Sequence, residues 1–205
     1  SQIMYGGFYI GRYETGIMDY SSVNTSTSNT QEEYTGYNGG KAVIQKGKQV
    51  WNYITRDKAR KVSEDMYKKL NGFSVNSKLC SSYAWDTALK FIQINYPNYN
   101  TNSNQGNYYN QTFNYIDLQG ATNTKKSSTS TLVPTGQTTA VNNIYDMGGN
   151  VWEWTSEDSN NESSSCTRRG GSYGSESNGS TAAYRRYDSR VSADSDMSFR
   201  MTLYL

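Results

Sequence analysis

Asp146-Met147-Gly148-Gly149-Asn150-Val151-Trp152-Glu153-Trp154-Thr155 is the stretch on which the fold turns. Two Trp separated by one residue face the same side of an extended segment, because side chains alternate along a strand. The Gly pair before them permits a tight turn that other residues resist. Trp152 and Trp154 are therefore predicted core residues. Working outward, Arg169-Gly170-Gly171-Ser172 and Ser198-Phe199-Arg200 are further landmarks of framework type. Between them, Tyr173 to Asp196 is almost entirely Ser, Tyr, Asn, Asp, Gly, Ala and Arg. A framework that brackets such an interval has the pattern of a recognition surface rather than of an enzyme.

A chain of 205 residues fits one domain or two small ones, and the pattern is read as a single domain over residues 1–205. Only 34% of the chain is hydrophobic, and its 19 Tyr supply a large share of that, so much of it must be loop. Ser, Thr, Asn and Gly are plentiful and helix formers scarce, which argues against long helices. A net charge of +2 with no basic stripe argues against a nucleic-acid partner. The one Lys pair, Lys125-Lys126, reads as solvated loop. No apolar run approaches a membrane span, so direct membrane insertion is not expected. No signal peptide stands at Ser1, and export is left open. Cys80 and Cys166 form no framework pattern, and burial or free thiols are expected ahead of a disulfide. His is absent, which removes the usual general base and the usual transition-metal ligand.

Phe8, Ile10 and Arg12 alternate with Tyr9, Gly11 and Tyr13 at strand period, and so do Phe199, Met201, Leu203 and Leu205 with the residues between them. Two such strands at opposite ends of the chain predict that the termini pair. Ser21 to Asn29 is a Ser/Thr/Asn loop. Ala59, Val62, Met66 and Leu70 make a helical stripe, with Thr55 as N-cap and Gly72 as stop. Trp85, Ala88, Leu89 and Ile92 share the face of a second short helix, with Ser82 as cap and Pro97 beyond its end. Asn98 to Thr139 is polar, poor in period and read as long loop. Two short helices, short strands and long loops make the class α+β.

Taken together, these segments resemble the formylglycine-generating-enzyme (sulfatase-modifying factor) family, whose members share a C-type-lectin-like fold. Phe8-Tyr9-Ile10-Gly11-Arg12-Tyr13-Glu14-Thr15 resembles the family's opening strand. Trp51 and the helix after it, then Ser77-Lys78-Leu79 leading to Trp85-Asp86, resemble its two-helix region. Asn150 to Thr155 resembles its Asn-Val-Trp-Glu-Trp hallmark, Arg169 to Ser172 its Arg-Gly-Gly-Ser hallmark, and Ser198-Phe199-Arg200 its closing Gly-Phe-Arg. Ser21 to Lys48 and Asn98 to Thr139 carry no resemblance.

The departures bear on function. Enzymatic members bind copper with a cysteine pair between the last two hallmarks. Counted back from Ser198 without a gap, those positions hold Ser177 and Ala182, and no other Cys lies between Ser172 and Ser198. A related branch binds iron through His, which this chain lacks. The fold also serves as the variable protein of diversity-generating retroelements. There, copying errors at template adenines turn Asn codons into many others but never into Lys, Gln, Glu, Met or Trp. Tyr173 to Asp196 avoids those types except at Glu176, and Met197 follows. An exposed lectin-fold loop of constant sequence would have a similar composition.

This resemblance makes residues 173–197 a variable ligand-binding region. Its expected contact side chains are Tyr173, Ser175, Ser177, Asn178, Tyr184, Arg186, Tyr187, Asp188, Ser192, Asp194 and Asp196. Ala182, Ala183 and Arg185 are expected to be scaffold. Tyr gives large contact area for little lost rotamer freedom, and Ser, Asn and Gly adapt their hydrogen bonds. The implied partner is a protein or carbohydrate on a target cell surface, met from a virion or a bacterial surface. Glu153 has two readings. With the carbonyls of Gly149 and Val151 it resembles the family's calcium site, suited by hard oxygen ligands; equally, it forms a salt bridge or a cap. No cofactor is required. The alternatives to a binding protein are a catalytically altered relative of the enzymes and a constant adhesin or carbohydrate-binding module.

Overall fold

A computed structural model of the chain describes residues 7–18, 42–67, 76–99, 105–160 and 162–204. The first strand, β1 (Tyr9–Ile10), pairs antiparallel with the last, β12 (Met201–Tyr204), in register Tyr9↔Leu203. The ends of the fold therefore meet, as their alternation predicts. β12 is flanked on its other side by β5 (Asn76–Leu79), giving the sheet order β1-β12-β5. A second small sheet places β2 (Gly16–Ile17) between β3 (Ala42–Val43) and β4 (Gln49–Val50).

The central sheet runs β10 (Arg185–Asp188), β9 (Cys166–Arg169), β8 (Trp152–Asp158), β11 (Met197–Phe199). β8 and β11 are parallel, with Trp152 opposite Met197 and Trp154 opposite Phe199. The C-terminal alternation is thus not one strand: β11 and β12 lie in different sheets and part at Arg200. Period alone cannot see that break, because a residue between two strands keeps the same rhythm.

Helix α1 (Arg56–Asp65) starts where expected, with the Thr55 hydroxyl accepting from the Lys58 amide at 3.4 Å. Ala59 and Val62 turn inward, while Leu70 and Gly72 lie outside the described residues, as does the Ser21 to Asn29 stretch. Helix α2 (Ser82–Gln93) buries Trp85, Ala88, Leu89 and Ile92. Its cap is Ser81, one residue earlier than expected, accepting from the Ala84 amide at 3.1 Å. Ser82 is instead interior, its hydroxyl 3.3 Å from that of Thr155. The helix closes at Gln93, before Pro97. Among the described residues, no helix is long and apolar enough to cross a membrane.

The stretch read as loop, Asn98 to Thr139, contains a hairpin of β6 (Phe113–Ile116) and β7 (Thr122–Lys125). Its turn is built by Asp117, whose carboxylate accepts from the amides of Gln119 and Ala121 at 3.0 and 2.8 Å. The strands are half-exposed and rich in Asn and Thr, so no apolar alternation betrays them. Lys125 overturns the solvated reading of the Lys pair, since its side chain is interior.

Two apolar clusters carry the core. One gathers Trp51, Ile54, Trp152, Trp154, Met197 and Phe199 between the central sheet and α1, and the other gathers Trp85, Leu89, Ile92, Met147 and Ala182 around α2. Cys166 sits in the first and Cys80 in the second, both free and fully buried.

Candidate functional site

The frame of the site is a pair of turns laid against each other. Gly149 and Asn150 have φ of 74° and 58°, and Gly170 and Gly171 have 92° and 77°. A Cβ on Gly171 would lie 2.4 Å from the Ser180 carbonyl oxygen, and one on Gly149 would lie 2.5 Å from that of Asn107, so both positions require glycine. The Gly149 amide donates to the Gly170 carbonyl at 2.8 Å, and the Tyr173 amide to the Asn150 carbonyl at 2.9 Å. The two hallmark segments are thereby joined, and the chain leaves them toward residues 173–197 in a fixed direction.

Beneath the turns lies a fully buried group of charges. Arg200 grips Glu153 with two bonds, Nη2 to Oε1 at 2.8 Å and Nε to Oε2 at 2.9 Å, and also donates to the carbonyls of Gly11 and Tyr145. Both carboxylate oxygens therefore accept from a guanidinium, which is the salt-bridge reading of Glu153. Asp146 accepts from the Gly136 amide and from the Thr138 amide and hydroxyl. Glu14 has the Asn150 amide on Oε1, while Oε2 has no hydrogen-bond partner. Burial, then the nearby Asp146 and Glu153, push the Glu14 carboxyl well above the usual carboxylate range.

A folded-state pKa raised above the unfolded one means that the fold holds a proton the unfolded chain releases. Stability then falls as pH rises from the unfolded value, about 4.3, through the folded one. Glu14→Gln keeps the acceptor for Asn150 and removes the ionisation. It is expected to flatten this decline in denaturant melts between pH 4.5 and 8; an unchanged slope would place the titration elsewhere.

The expected contact residues separate into two groups. Asn178, Tyr184, Arg186, Tyr187 and Asp194 are exposed, and Ser175, Asp188, Ser192 and Asp196 are half-buried. Tyr173 and Ser177 are corrected: at 5% and 1% exposure their side chains belong to the interior. The Tyr173 hydroxyl lies 2.9 Å from that of Ser195. Ser177 is held by Asn110, whose Oδ1 accepts from its amide at 3.0 Å and whose Nδ2 donates to its hydroxyl at 3.2 Å. Asp188 braces its own turn, accepting from Ser192 Oγ at 2.6 Å and pairing with Arg168 at 3.0 Å. Asp196 accepts from Ser172 Oγ at 2.9 Å, and burial raises its pKa.

Of the outward residues, Arg186 and Tyr187 lie on β10, and Tyr184 and Arg186 lie against Trp152. The Arg168 guanidinium lies 4.8 Å from the Trp152 ring and that of Arg186 lies 6.0 Å from it, while the Tyr184 ring centroid lies 6.0 Å away. Tyr187 also lines an open cleft of about 760 Å³ with Glu157, Asp158, Ser159 and Asn160. Of the expected scaffold, Ala182 is fully buried and its carbonyl accepts from Trp85 Nε1 at 2.9 Å. Arg185 reaches Asp86 and Glu157 at 3.3 and 3.1 Å, tying β10 to α2 and β8. Sequence reading missed Arg168, Asn110 and Gln111 as supports. Arg168 precedes a recognised hallmark, but Asn110 and Gln111 carry no local signal.

This is a C-type-lectin-like α+β scaffold carrying a polar, aromatic surface on an edge strand. The family described as sulfatase-modifying factor enzyme 1-like domain matches residues 2–204, and the chain belongs to that family. Among solved structures, CarF is similar at 15% identity and a TM-score of 0.57, over 82% of this chain and 70% of its own. PvdO from Pseudomonas aeruginosa is similar at 13% identity and a TM-score of 0.57, over 97% and 80%. Treponema denticola variable protein 1 aligns at 14% identity and a TM-score of 0.47, over 97% and 95%. For CarF and PvdO, at these identities, the likeness is one of fold alone. No curated protein sequence matches.

Proposed function

We propose that the chain is a non-enzymatic ligand-binding protein whose surface at residues 173–197 was diversified by a retroelement, and that it recognises a protein or carbohydrate on a target cell from a virion or bacterial surface. The carrying observation is the division of that interval. Asn178, Tyr184, Arg186, Tyr187 and Asp194 point outward, while Tyr173, Ser177 and Ala182 are packed into the frame. Ser177 and Ala182 also stand where the family's copper-binding cysteines are implied. The chain's own thiols are fully buried, and burial pushes that of Cys80 up to about 12.

The deciding observation is genomic. A downstream DNA repeat that differs from this coding region at adenines, beside a reverse transcriptase gene, would establish diversification. Differences should fall at the codons for Asn178, Tyr184, Arg186, Tyr187 and Asp194 and spare Ser177. Absence of the repeat would leave a constant adhesin module. Stoichiometric copper or iron together with oxidation of a cysteine peptide would overturn the non-enzymatic reading.

Replacing both Tyr184 and Tyr187 by Ser is expected to change stability by no more than about 0.5 kcal/mol per site, as for other surface positions. Ligand binding should weaken by about 2 kcal/mol or more for each ring that acts as an anchor. Tyr173→Ser should do the reverse, lowering the melting temperature before affinity. A melting transition that collapses in the Tyr184/Tyr187 variant would make those rings packing residues and remove them from the recognition surface.

A further inference from the structure

Lys125 ends β7, and its residue is only 2% exposed. Its ammonium donates to the carbonyls of Tyr108 and Gln111, the latter at 2.8 Å, with the Tyr109 carbonyl at 3.5 Å. A lysine head has three donors and no acceptor, and here those donors meet backbone oxygens that converge because the chain turns at 108–111. The same burial lowers its pKa.

The same turn supports the recognition interval. The Tyr109 amide donates to the Ser175 carbonyl at 2.8 Å, and the Ser177 amide to Asn110 Oδ1 at 3.0 Å. Asn110 Nδ2 and Gln111 Nε2 both reach Ser177 Oγ, at 3.2 and 3.3 Å. The Tyr109 carbonyl accepts in turn from the Ser128 amide at 2.7 Å. Every residue of the turn from 109 to 111 thus touches the segment that carries the exposed Asn178.

We propose that Lys125 is a positioning residue of the recognition surface: its ammonium gathers the 108–111 carbonyls, and that turn fixes Ser175, Ser177 and through them Asn178. Removing the ammonium takes away the one donor shared by the Tyr108 and Gln111 carbonyls, leaving only the backbone bonds from Gln111 to Tyr108 and from Ser128 to Tyr109, so the turn opens and its bonds to Ser175 and Ser177 loosen while the apolar clusters stay closed. The functional meaning rests on the recognition reading above, but the test needs no ligand. The two can therefore fail separately.

Amide hydrogen exchange tests it. Lys125→Met keeps the stem and removes the donors. It should accelerate exchange at the amides of Tyr109, Ser128 and Ser177 by about tenfold or more, and leave those of Trp51 and Cys80 unchanged. Lys125→Arg, which retains charge and donors, should restore part of the protection. Unaltered exchange at Tyr109 and Ser177, or equal acceleration at Trp51 and Cys80, would overturn the proposal. If Lys125→Met does not fold, exchange of the wild-type protein in rising denaturant takes its place. Opening of Tyr109, Ser177 and the β6–β7 hairpin as one unit, below the unfolding of Trp51 and Cys80, supports the assignment. Opening of Ser177 only together with Trp51 and Cys80 defeats it.

Discussion

Trp152→Ala is expected to cost about 3–5 kcal/mol of folding stability, the range for deleting a large buried aromatic. Its ring is 2% exposed and shares a cluster with Trp154, Met197 and Phe199, so truncation opens a void that the surrounding sheet cannot fill. The loss reaches the surface as well, because Arg168 and Tyr184 rest against the same ring. Chemical denaturation gives the number. A loss below about 1 kcal/mol would mean that the ring is not the floor of the sheet, and the placement of the Trp-Glu-Trp segment would have to be redrawn.

Arg200→Met should destabilise the fold by a similar amount, about 3–5 kcal/mol, for an electrostatic reason. Removing one partner of a buried pair strands the other charge without solvent. Glu153 and Arg200 are each 0% exposed, and Glu14 and Asp146 are close enough that the same guanidinium favours their ionised forms. Burial already raises the pKa of Glu153 against the pull of Arg200, and without Arg200 it rises further. The sign follows: the variant's folded state retains a proton that the unfolded chain has lost. Its deficit should be largest at neutral pH and shrink as pH falls toward the unfolded carboxylate range. Combining Arg200→Met with Glu153→Gln should recover part of the loss, which a double-mutant cycle measures. A pH-independent deficit, or strict additivity, would assign the cost to packing instead.

Much of the frame was legible because apolar residues announce their faces locally. Trp152 and Trp154 sit two apart on a strand, and Trp85, Ala88, Leu89 and Ile92 follow helical spacing; all are buried. The pairing of β1 with β12 was legible from matching alternation at the two ends. The β6–β7 hairpin was not, since Asn and Thr on half-exposed strands carry no hydrophobic rhythm and the turn depends on one Asp carboxylate.

For the site, the sequence by itself determined which interval could be a recognition surface, through its composition and the hallmarks bracketing it. It also determined that the positions implied for copper ligands hold Ser177 and Ala182. Only the tertiary structure decided which side chains of that interval face outward. Tyr173, Ser177 and Lys125 look like surface residues by type, yet each is interior because its polar atoms find partners. The partners of Ser177 lie 66 and 67 residues away, and the Arg200 that claims Glu153 lies 47 away. Burying an apolar group depends on its own surface, so a local pattern reports it. Burying a polar or charged group depends on a donor or acceptor that the fold brings from elsewhere, and only the folded chain records where that partner lies.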